Sequence, residues 1–311
     1  KAKKKPVVYW GTATTGKPHI GYFFPMLKIA DLLKAGFHVK ILLADVHAAL
    51  DNVEWNIVEH RYEYYKKAIP EMIKAIGIDT KDLEFVKGSE MQLNPEYMYD
   101  VLQISSCVSV RDSNKAAAEV VKMGDNPKLS GLIYPLMQAI DEEYLDVDCQ
   151  LGGTDQRKIM VLARENLPKI GYKSRIEIMH PLIPGLIGKK MSASDENSKI
   201  DLTDDVETVK KKINKADCVE GDPNNGLMAF LKYVVMVIKS DKKEKFKVER
   251  SEKYGGNIEY KNYEDIEKDF IEKKLHPMDL KNAFANEVIN LLSKVDKDKL
   301  EKLSKKAYEE K

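Results

Sequence analysis

The stretch Val7-Val8-Tyr9-Trp10-Gly11-Thr12-Ala13-Thr14-Thr15-Gly16-Lys17-Pro18-His19-Ile20-Gly21 decides the fold of this chain. Its apolar beginning, residues 7–11, predicts a buried strand, and the residues that follow are typical of a loop. Apolar residues then recur at helical spacing as far as residue 32, and Gly36 ends the helix. Because residues 39–44 form a second apolar run, the pattern predicts a right-handed βαβ unit and a parallel sheet.

Short strands and long helices continue to alternate as far as about residue 205. Further strands are predicted near residues 83–86 and 148–151, and helices at 53–76, within 95–123, at 128–144 and at 155–166. This alternation predicts an α/β fold, with a doubly wound parallel Rossmann-like domain over residues 1–205. Lys-rich amphipathic helices then predict a second, all-α domain over residues 206–311. We expect its last segment, residues 294–311, to be a solvated helix.

The composition excludes several classes of protein. Lys and Arg total 51 and Asp and Glu total 50, so the net charge of +1 is unlike that of a polycationic nucleic-acid coat protein. Apolar runs such as residues 41–44 fall far short of the roughly 20 residues that a membrane span needs, so we expect no membrane partner. Cys107, Cys149 and Cys218 form no Cys-x-x-Cys pair, which argues against disulfides and structural zinc and favours a reducing, cytoplasmic location.

The loop after the first strand has the character of a nucleotide site. In a doubly wound sheet, ligands bind at the carboxyl ends of the strands, where a helix N-terminus offers free N–H groups to phosphate. The glycine spacing in residues 11–21 fits neither the G-x-G-x-x-G dinucleotide pattern nor the P-loop. Taken alone, His19 is as consistent with a locally bonded helix N-terminal residue as with a phosphate ligand.

A second signature, Lys190-Met191-Ser192-Ala193-Ser194, lies about 170 residues further on. A Pro-His-x-Gly turn after the first strand, together with this loop, resembles the paired nucleotide signatures of the class I aminoacyl-tRNA synthetases. Further segments resemble the tyrosyl-tRNA synthetases of eukaryotes and archaea, namely residues 9–19, 44–48, 134–141 and 152–158. The similarity covers nearly the whole chain, including residues 275–282.

The resemblance implies a site for tyrosine. It assigns the phenol to Tyr9 and Asp141, and the ammonium and carboxylate end to Tyr134, Gln138 and Gln156. The spacing i, i+4, i+7 of Tyr134, Gln138 and Asp141 places them on one face of a helix. Solvent-facing positions for Gln138 and Asp141 are the alternative. His47 lies near this pocket by resemblance, although a packed core histidine is the more common role.

The resemblance also implies an ATP site, to which magnesium comes with ATP. The residues that it assigns to catalysis are His19, Lys190 and Thr15. Those that it assigns to ATP are Gly11, His19, Gly21, Gly153, Asp155, Leu182, Ile183, Lys190, Ser192 and Ser194. We expect no metal bound by the protein itself, because no cluster of His, Cys and carboxylates has the spacing of metal ligands.

Two positions depart from the general class I pattern. The fourth position of the first signature, commonly histidine, is Tyr22, and that of the second, commonly lysine, is Ala193. Two phosphate donors are therefore missing. We expect His19 and Lys190, with Lys189 as a possible helper, to make the phosphate contacts instead.

The activity that the resemblance implies is activation of tyrosine by ATP, followed by transfer of the tyrosyl group to the 3′ end of tRNA(Tyr). Phosphoryl transfer depends mainly on positioning and charge stabilisation, which agrees with a sequence that has neither a Ser-His-Asp pattern nor paired catalytic carboxylates. Two alternatives remain. One is a tryptophanyl-tRNA synthetase, and the other is a catalytically inactive RNA-binding or signalling protein on the same scaffold.

The macromolecular partners implied are tRNA(Tyr) and a second copy of the chain. Arg157, Tyr254 and Asp279 occupy positions that contact tRNA in the family, the last two at the first anticodon base. Without the resemblance, Tyr254 is more consistent with a core residue and Asp279 with an acid at a helix N-terminus. The apolar content of residues 88–130 predicts a homodimer interface in this inserted segment, and residues 187–200 form the loop of the second signature.

Overall fold

The computed structural model describes residues 5–121, 123–188 and 198–309. Its centre is a five-stranded parallel sheet with the strand order β3-β2-β1-β4-β5. The strands are β1 (Val7–Ala13), β2 (His38–Ala44), β3 (Leu83–Lys87), β4 (Cys149–Gly153) and β5 (Ile176–His180). The predicted βαβ unit and parallel sheet are confirmed.

Helices cover both faces of this sheet. They are α1 (Phe23–Lys34), α2 (Asp45–Leu50), α3 (Trp55–Ala75), α4 (Gly88–Gln92), α5 (Pro95–Ser105), α6 (Val110–Ala117), α7 (Leu129–Tyr144) and α8 (Arg157–Asn166). Successive side chains of β1 point to opposite faces, so Val8 and Trp10 pack in the cluster that contains α1 and α3, whereas Tyr9 packs on the other side. Both faces of β1 are buried, as expected for a central parallel strand.

The strand order reverses between β1 and β4. The chain runs from β1 to β2 and β3 on one side, and β4 and β5 extend the sheet on the other side of β1. In this topology a crevice opens outside the carboxyl ends of the two central strands. The loop after β1, which contains His19, and the turn after β4, which contains Asp155, therefore meet at the same edge.

The region after residue 205 is mostly helical, but it is not all-α as predicted. Its helices are α9 (Val206–Lys215), α10 (Gly226–Phe230), α11 (Met236–Lys242), α12 (Tyr263–Ile271), α13 (Pro277–Leu292) and α14 (Lys297–Tyr308), with a π-helical turn at Leu231–Val235. An antiparallel ribbon, β6 (Phe246–Val248) and β7 (Ile258–Tyr260), is inserted between them. Gly255 and Gly256 make the connecting turn at φ of 91° and 71°, a conformation that favours glycine.

The expectation that the last segment is simply solvated was wrong. Helix α14 packs along α3 and buries Leu300, Ser304 and Ala307. These residues are spaced i, i+4 and i+7, so they form one face of the helix. The Lys and Glu residues around them hid this narrow stripe in the sequence, because lysine-rich helices are usually exposed all round.

One apolar cluster runs through both parts of the chain, from Val8 in β1 to Phe284 in α13. The division at residue 205 therefore stays a prediction, since the core is continuous across it. None of the helices in the described part of the chain combines the length and the apolar character that crossing a membrane requires.

Candidate active site

A cavity of about 790 Å³ opens at the carboxyl ends of β1 and β4. The tertiary structure brings thirteen of the predicted site residues to its wall. They are Tyr9, Gly11, Thr15, His19, Gly21, Tyr134, Gln138, Asp141, Gly153, Asp155, Gln156, Leu182 and Ile183. Their meeting in one cavity agrees with a shared site, and the role of each residue stays a prediction.

The predicted phenol-binding end of the cavity is closed and polar. Tyr9 and Asp141 are each only 1% exposed. The hydroxyl of Tyr9 has no hydrogen-bond partner among the described residues. Burial, and to a smaller extent the nearby charges of Glu142 and Asp141, raise its pKa. A buried hydroxyl without a partner is costly, so this group is well suited to a ligand that brings one.

The Asp141 carboxyl is held from one side by two residues that sequence reasoning missed. Its Oδ1 accepts a hydrogen bond from Gln92 Nε2 at 2.8 Å and another from the Tyr97 hydroxyl at 2.8 Å. Burial raises the pKa of Asp141 to about 7, and these two hydrogen bonds oppose the shift. The carboxyl therefore titrates near neutral pH.

A positional signal for Gln92 is present in the sequence. Gln92 ends α4, which follows β3 directly, and the carboxyl end of β3 lies at the edge of the sheet where the cavity opens. Gly88 makes the close approach possible, because a Cβ at this position would lie 2.8 Å from both Asp45 Oδ1 and Gln92 Oε1. The position of a polar residue soon after a parallel strand could therefore have marked Gln92 as a candidate for the cavity wall.

His47 is part of the same cluster. Gln92 Nε2 lies 3.1 Å from His47 Nδ1, and the His47 ring meets the Tyr134 ring edge-on at 4.5 Å. Burial lowers the pKa of His47 to about 4, so the imidazole is neutral at pH 7. His47 lines the cavity and is also a packed interior histidine, so the two roles considered from sequence are combined in one residue.

The cavity wall also carries the predicted binding groups for the amino acid's ammonium and carboxylate. Gln138 Nε2 donates to Gln156 Oε1 at 3.1 Å, which links α7 to the turn after β4. Tyr134 lies one helical turn before Gln138 and is buried. The solvent-facing alternative is excluded for Asp141, which is 1% exposed. Gln138 is half-buried in the cavity wall, so its assigned role stays a prediction.

The predicted nucleotide-binding part of the cavity contains the first signature. His19 Nδ1 accepts from the backbone N–H of Gly21 at 3.2 Å, as a cap of the turn Ile20–Tyr22 that leads into α1. Burial, and to a smaller extent Lys199, lower the pKa of His19 to about 4. The imidazole is therefore neutral at pH 7, and with Nδ1 as acceptor its proton is on Nε2, where it can be donated to phosphate.

Tyr22, which replaces the common histidine, is held by other side chains. Its hydroxyl lies 3.3 Å from Thr12 Oγ1 and 3.4 Å from the Tyr65 hydroxyl, and its ring meets His19 edge-on at 5.2 Å. Tyr22 therefore supports the His19 ring from the side. This arrangement agrees with the expectation that His19 makes the phosphate contact of this signature.

The turn after β4 leaves no room for larger residues. A Cβ on Gly153 would lie 2.5 Å from Asp155 Oδ1 and 2.8 Å from Leu182 Cδ2. Gly153, Asp155 and Leu182 therefore pack together at the predicted adenosine end. Ile183 is buried beside Leu182 and also lines the cavity.

The loop after β1 is braced by α3 and α14, which sequence reasoning did not foresee. The carbonyl oxygen of Gly16 accepts from the Tyr65 hydroxyl at 2.6 Å and from the Tyr308 hydroxyl at 3.1 Å. Arg61 donates to the carbonyl of Thr15 and also to that of Ala307 in α14. Thr15 is thereby held through its main chain.

The remaining predicted residues lie elsewhere. Arg157 is exposed at the start of α8, Tyr254 is 64% exposed in the turn before Gly255, and Asp279 lies half-buried in the first turn of α13. The exposure of Tyr254 excludes the core alternative, whereas the place of Asp279 fits both of its interpretations. Lys189, Lys190, Ser192, Ala193 and Ser194 lie outside the described residues.

Comparison with known proteins shows the family to which this chain belongs. The family model of class I tRNA synthetases (W and Y) matches residues 1–293. The cytoplasmic tyrosine-tRNA ligase of Saccharomyces cerevisiae is 50% identical over 301 residues, covering 94% of this chain and 76% of that protein. The cytoplasmic tyrosine-tRNA ligase of Gallus gallus is 51% identical over 308 residues, and this chain covers 58% of its length.

A solved structure is also similar. The tyrosyl-tRNA synthetase of Archaeoglobus fulgidus, crystallised with L-tyrosine, superposes with a TM-score of 0.86 at 38% identity, over 94% of this chain and 90% of that one. The shared sheet, the extent of the family match and this level of identity lead to one conclusion. The chain belongs to the class I tRNA synthetases of the tryptophan and tyrosine family, and within it to the tyrosyl-tRNA synthetases.

Proposed function

We propose that this chain activates L-tyrosine with ATP, forming tyrosyl-adenylate and pyrophosphate, and then transfers the tyrosyl group to the 3′ end of tRNA(Tyr). The observation that carries the proposal is the pair at the closed end of the cavity. The unpartnered hydroxyl of Tyr9 and the oriented carboxyl of Asp141 offer a donor and an acceptor to a phenol. A phenol oxygen can accept a hydrogen bond from the Tyr9 hydroxyl and donate one to Asp141. An indole N–H can only donate, so it could not accept the hydrogen bond that the Tyr9 hydroxyl offers.

The activation step needs no general base. The carboxylate of tyrosine attacks the α-phosphorus of ATP in line, the bond from this phosphorus to the bridging oxygen breaks, and pyrophosphate leaves with the electron pair. A carboxylate is already ionised at pH 7, so the site has to position the reactants and stabilise charge on the phosphates. The neutral His19 supplies one N–H donor for this charge.

A second set of residues is proposed to hold ATP. Asp155 is proposed to bind the ribose hydroxyls, with Gly11, Gly21, Gly153, Leu182 and Ile183 forming the walls and Lys190, Ser192 and Ser194 approaching from the second signature. Magnesium is proposed to enter with ATP. Within residues 5–121, 123–188 and 198–309 there is no group of three His, Cys or carboxylate side chains that could hold a metal.

We assign tRNA binding to Arg157 near the cavity and to Tyr254 and Asp279 in the region after residue 205, where the anticodon is read. A homodimer through residues 88–130 is supported by exposed apolar side chains on α5, α6 and the connection before them. They are Leu93, Met98, Tyr99, Leu102 and Val110. Such a patch is typical of an interface between subunits. A cytoplasmic location is proposed because the relatives from yeast and chicken are named cytoplasmic.

The deciding experiment measures ATP–pyrophosphate exchange with tyrosine, tryptophan and phenylalanine, followed by aminoacylation of tRNA(Tyr). Exchange that depends on tyrosine, and charging of tRNA(Tyr), are expected. Exchange driven by tryptophan would favour the tryptophanyl alternative. A folded protein that shows no exchange with any amino acid but retains tRNA binding would favour the inactive scaffold.

A further inference from the structure

A lysine is buried in the wall of the cavity, beside the first signature. Lys199 is only 2% exposed, yet it lines the cavity. Its Nζ lies 2.8 Å from Asp201 Oδ1. Lysine is almost never buried to this degree unless its charge is paired, as it is here with Asp201, because removing an ammonium from water is expensive. Neither the sequence signatures nor the proposed mechanism above assigns a role to Lys199.

The segment that carries Lys199 is joined to the segment that carries His19. The backbone N–H of Ile20 donates to the carbonyl of Ile200 at 3.0 Å, and His19 and Asp201 form an antiparallel β-bridge. The positive charge of Lys199 is near enough to the His19 ring to help lower its pKa. The ammonium is therefore fixed close to the imidazole that is proposed to contact phosphate.

Three cations among the described residues line the cavity: Lys17, Arg61 and Lys199. Arg61 is engaged with main-chain carbonyls of Thr15 and Ala307, and the Lys17 ammonium lies 5.7 Å from the centre of the Tyr308 ring. Both belong to the brace of the loop after β1. Lys199 is the cation whose electrostatic effect reaches His19.

We propose that Lys199 is a ligand of the ATP polyphosphate and of the pyrophosphate that leaves, with Asp201 orienting its ammonium. An ammonium group has three donors, so it can keep Asp201 while it contacts phosphate oxygens. Lys199 then supplies a positive charge that the second signature lacks, because its fourth position is Ala193. The inference rests on the proposed function for the identity of the nucleotide.

The test compares Lys199→Met with Lys212→Met. Methionine keeps much of the length of the side chain and removes the charge. Lys212 is a matched control because it also forms an ion pair, with Nζ 2.7 Å from Asp204 Oδ2 on the same part of the chain, but it does not line the cavity. Circular dichroism and thermal unfolding of both variants verify that they are folded.

Four measured quantities separate a phosphate ligand from a structural residue. Lys199→Met should lower the rate of tyrosine-dependent ATP–pyrophosphate exchange by about 100-fold. It should also weaken binding of inorganic pyrophosphate, measured by calorimetry, while tyrosine binding is unchanged. Transfer of tyrosine to tRNA from preformed tyrosyl-adenylate should keep its parental rate in a single turnover, because pyrophosphate has already left. Lys212→Met should match the parent in all four.

Other outcomes overturn the inference. Parental pyrophosphate binding by Lys199→Met would remove this residue from the phosphate site. An equal loss in exchange and in transfer would show that Lys199 only holds the segment against His19. Failure of the parent itself to exchange with tyrosine would contradict the proposed function, and the pyrophosphate titration would still decide the role of Lys199.

Discussion

The hydroxyl of Tyr308 donates a hydrogen bond to the carbonyl oxygen of Gly16 at 3.1 Å, across 292 positions of the sequence. The same carbonyl accepts from Tyr65, and the Arg61 guanidinium lies 4.9 Å from the centre of the Tyr308 ring. The last turn of α14 thus rests on the loop that carries His19. A helix distant in sequence is part of the support of the candidate active site.

Tyr308→Phe should slow tyrosyl-adenylate formation. It removes one hydrogen bond to the loop and keeps the ring, so an effect of about 2- to 10-fold is expected from the loss of one bond. Pre-steady-state fluorescence with tyrosine and ATP measures this rate. Tyr263→Phe is the control, because its hydroxyl bonds Glu267 within α12, away from the cavity. Equal rates for the parent and Tyr308→Phe would show that Tyr65 and Arg61 hold the loop without help.

His19→Ala should reduce ATP–pyrophosphate exchange by about 100-fold, with the affinity for tyrosine little changed. The reason is that the neutral imidazole is proposed to donate to charge that develops on the phosphates, and tyrosine is proposed to bind other residues. Lys190→Ala is expected to act in the same direction. His38→Ala, which alters only a half-exposed pair with Glu84, is the control. Full exchange activity in His19→Ala would contradict the role given to the first signature.

Asp141→Ala should weaken the rejection of phenylalanine by about 10- to 100-fold. In the parent, phenylalanine would leave buried polar groups of Asp141 and Tyr9 without hydrogen bonds, at a cost of about 1–3 kcal/mol for each group. Removing the carboxyl removes part of this penalty. The measurement is kcat/KM for exchange with tyrosine and with phenylalanine. A preference as strong as that of the parent would mean that other residues read the phenol.

Tyrosine affinity should increase as the pH rises through about 7, the raised pKa of Asp141, because the ionised carboxylate accepts a hydrogen bond from the phenol hydroxyl better than the neutral acid does. In Gln92→Met the midpoint should move to higher pH, since the hydrogen bond from Gln92 lowers the pKa of Asp141. Equilibrium titrations with tyrosine from pH 5.5 to pH 8.5 measure this midpoint, roughly the range over which a group of this pKa titrates.

Asp141→Asn is the control for the pH series, because it keeps the size of the side chain and cannot ionise. Its affinity for tyrosine should be independent of pH across the midpoint of the parent. A midpoint that persists in Asp141→Asn would assign the titration to another group, such as the neighbouring Glu142, whose pKa burial raises to about 8.

Variants of the two predicted anticodon contacts should separate tRNA use from tyrosine activation. Tyr254→Ala should lower the efficiency of aminoacylation by about 10- to 100-fold through the loss of one stacked base, with exchange unchanged, while Tyr254→Phe retains the ring and the activity. Asp279→Ala should relax the preference for guanine at the first anticodon position, because a carboxylate accepts hydrogen bonds from the Watson–Crick edge of guanine. Lys253→Ala should only weaken the binding of tRNA, without changing the base preference, and reduce the dependence of this binding on salt concentration.

The readout for these variants is kcat/KM with tRNAs altered at the first anticodon base. An unchanged base preference in Asp279→Ala would leave this residue with its alternative role, an acid favoured by the N-terminal dipole of α13. Loss of exchange in Tyr254→Ala would indicate a structural defect.

Local pattern determined much of the fold. The apolar run of β1, the helical spacing after it and the second strand predicted the βαβ unit, because backbone periodicity and burial are properties of neighbouring residues. The motif residues of the candidate site were also visible from sequence, since signatures such as residues 11–21 keep a fixed spacing within one loop. The two-stranded ribbon escaped notice because each of its strands has only three residues.

Contacts between distant segments were decided by the tertiary structure alone. Gln92 and Tyr97 orient Asp141 from helices about 40 to 50 residues earlier, Tyr308 reaches Gly16 from the last helix, and Lys199 is buried beside His19. Apart from the position of Gln92 soon after β3, nothing in the local sequence separates these residues from ordinary helix or loop residues. Hydrogen bonds and electrostatic effects depend on distance in space, and that distance is set by how the sheet and both groups of helices pack together.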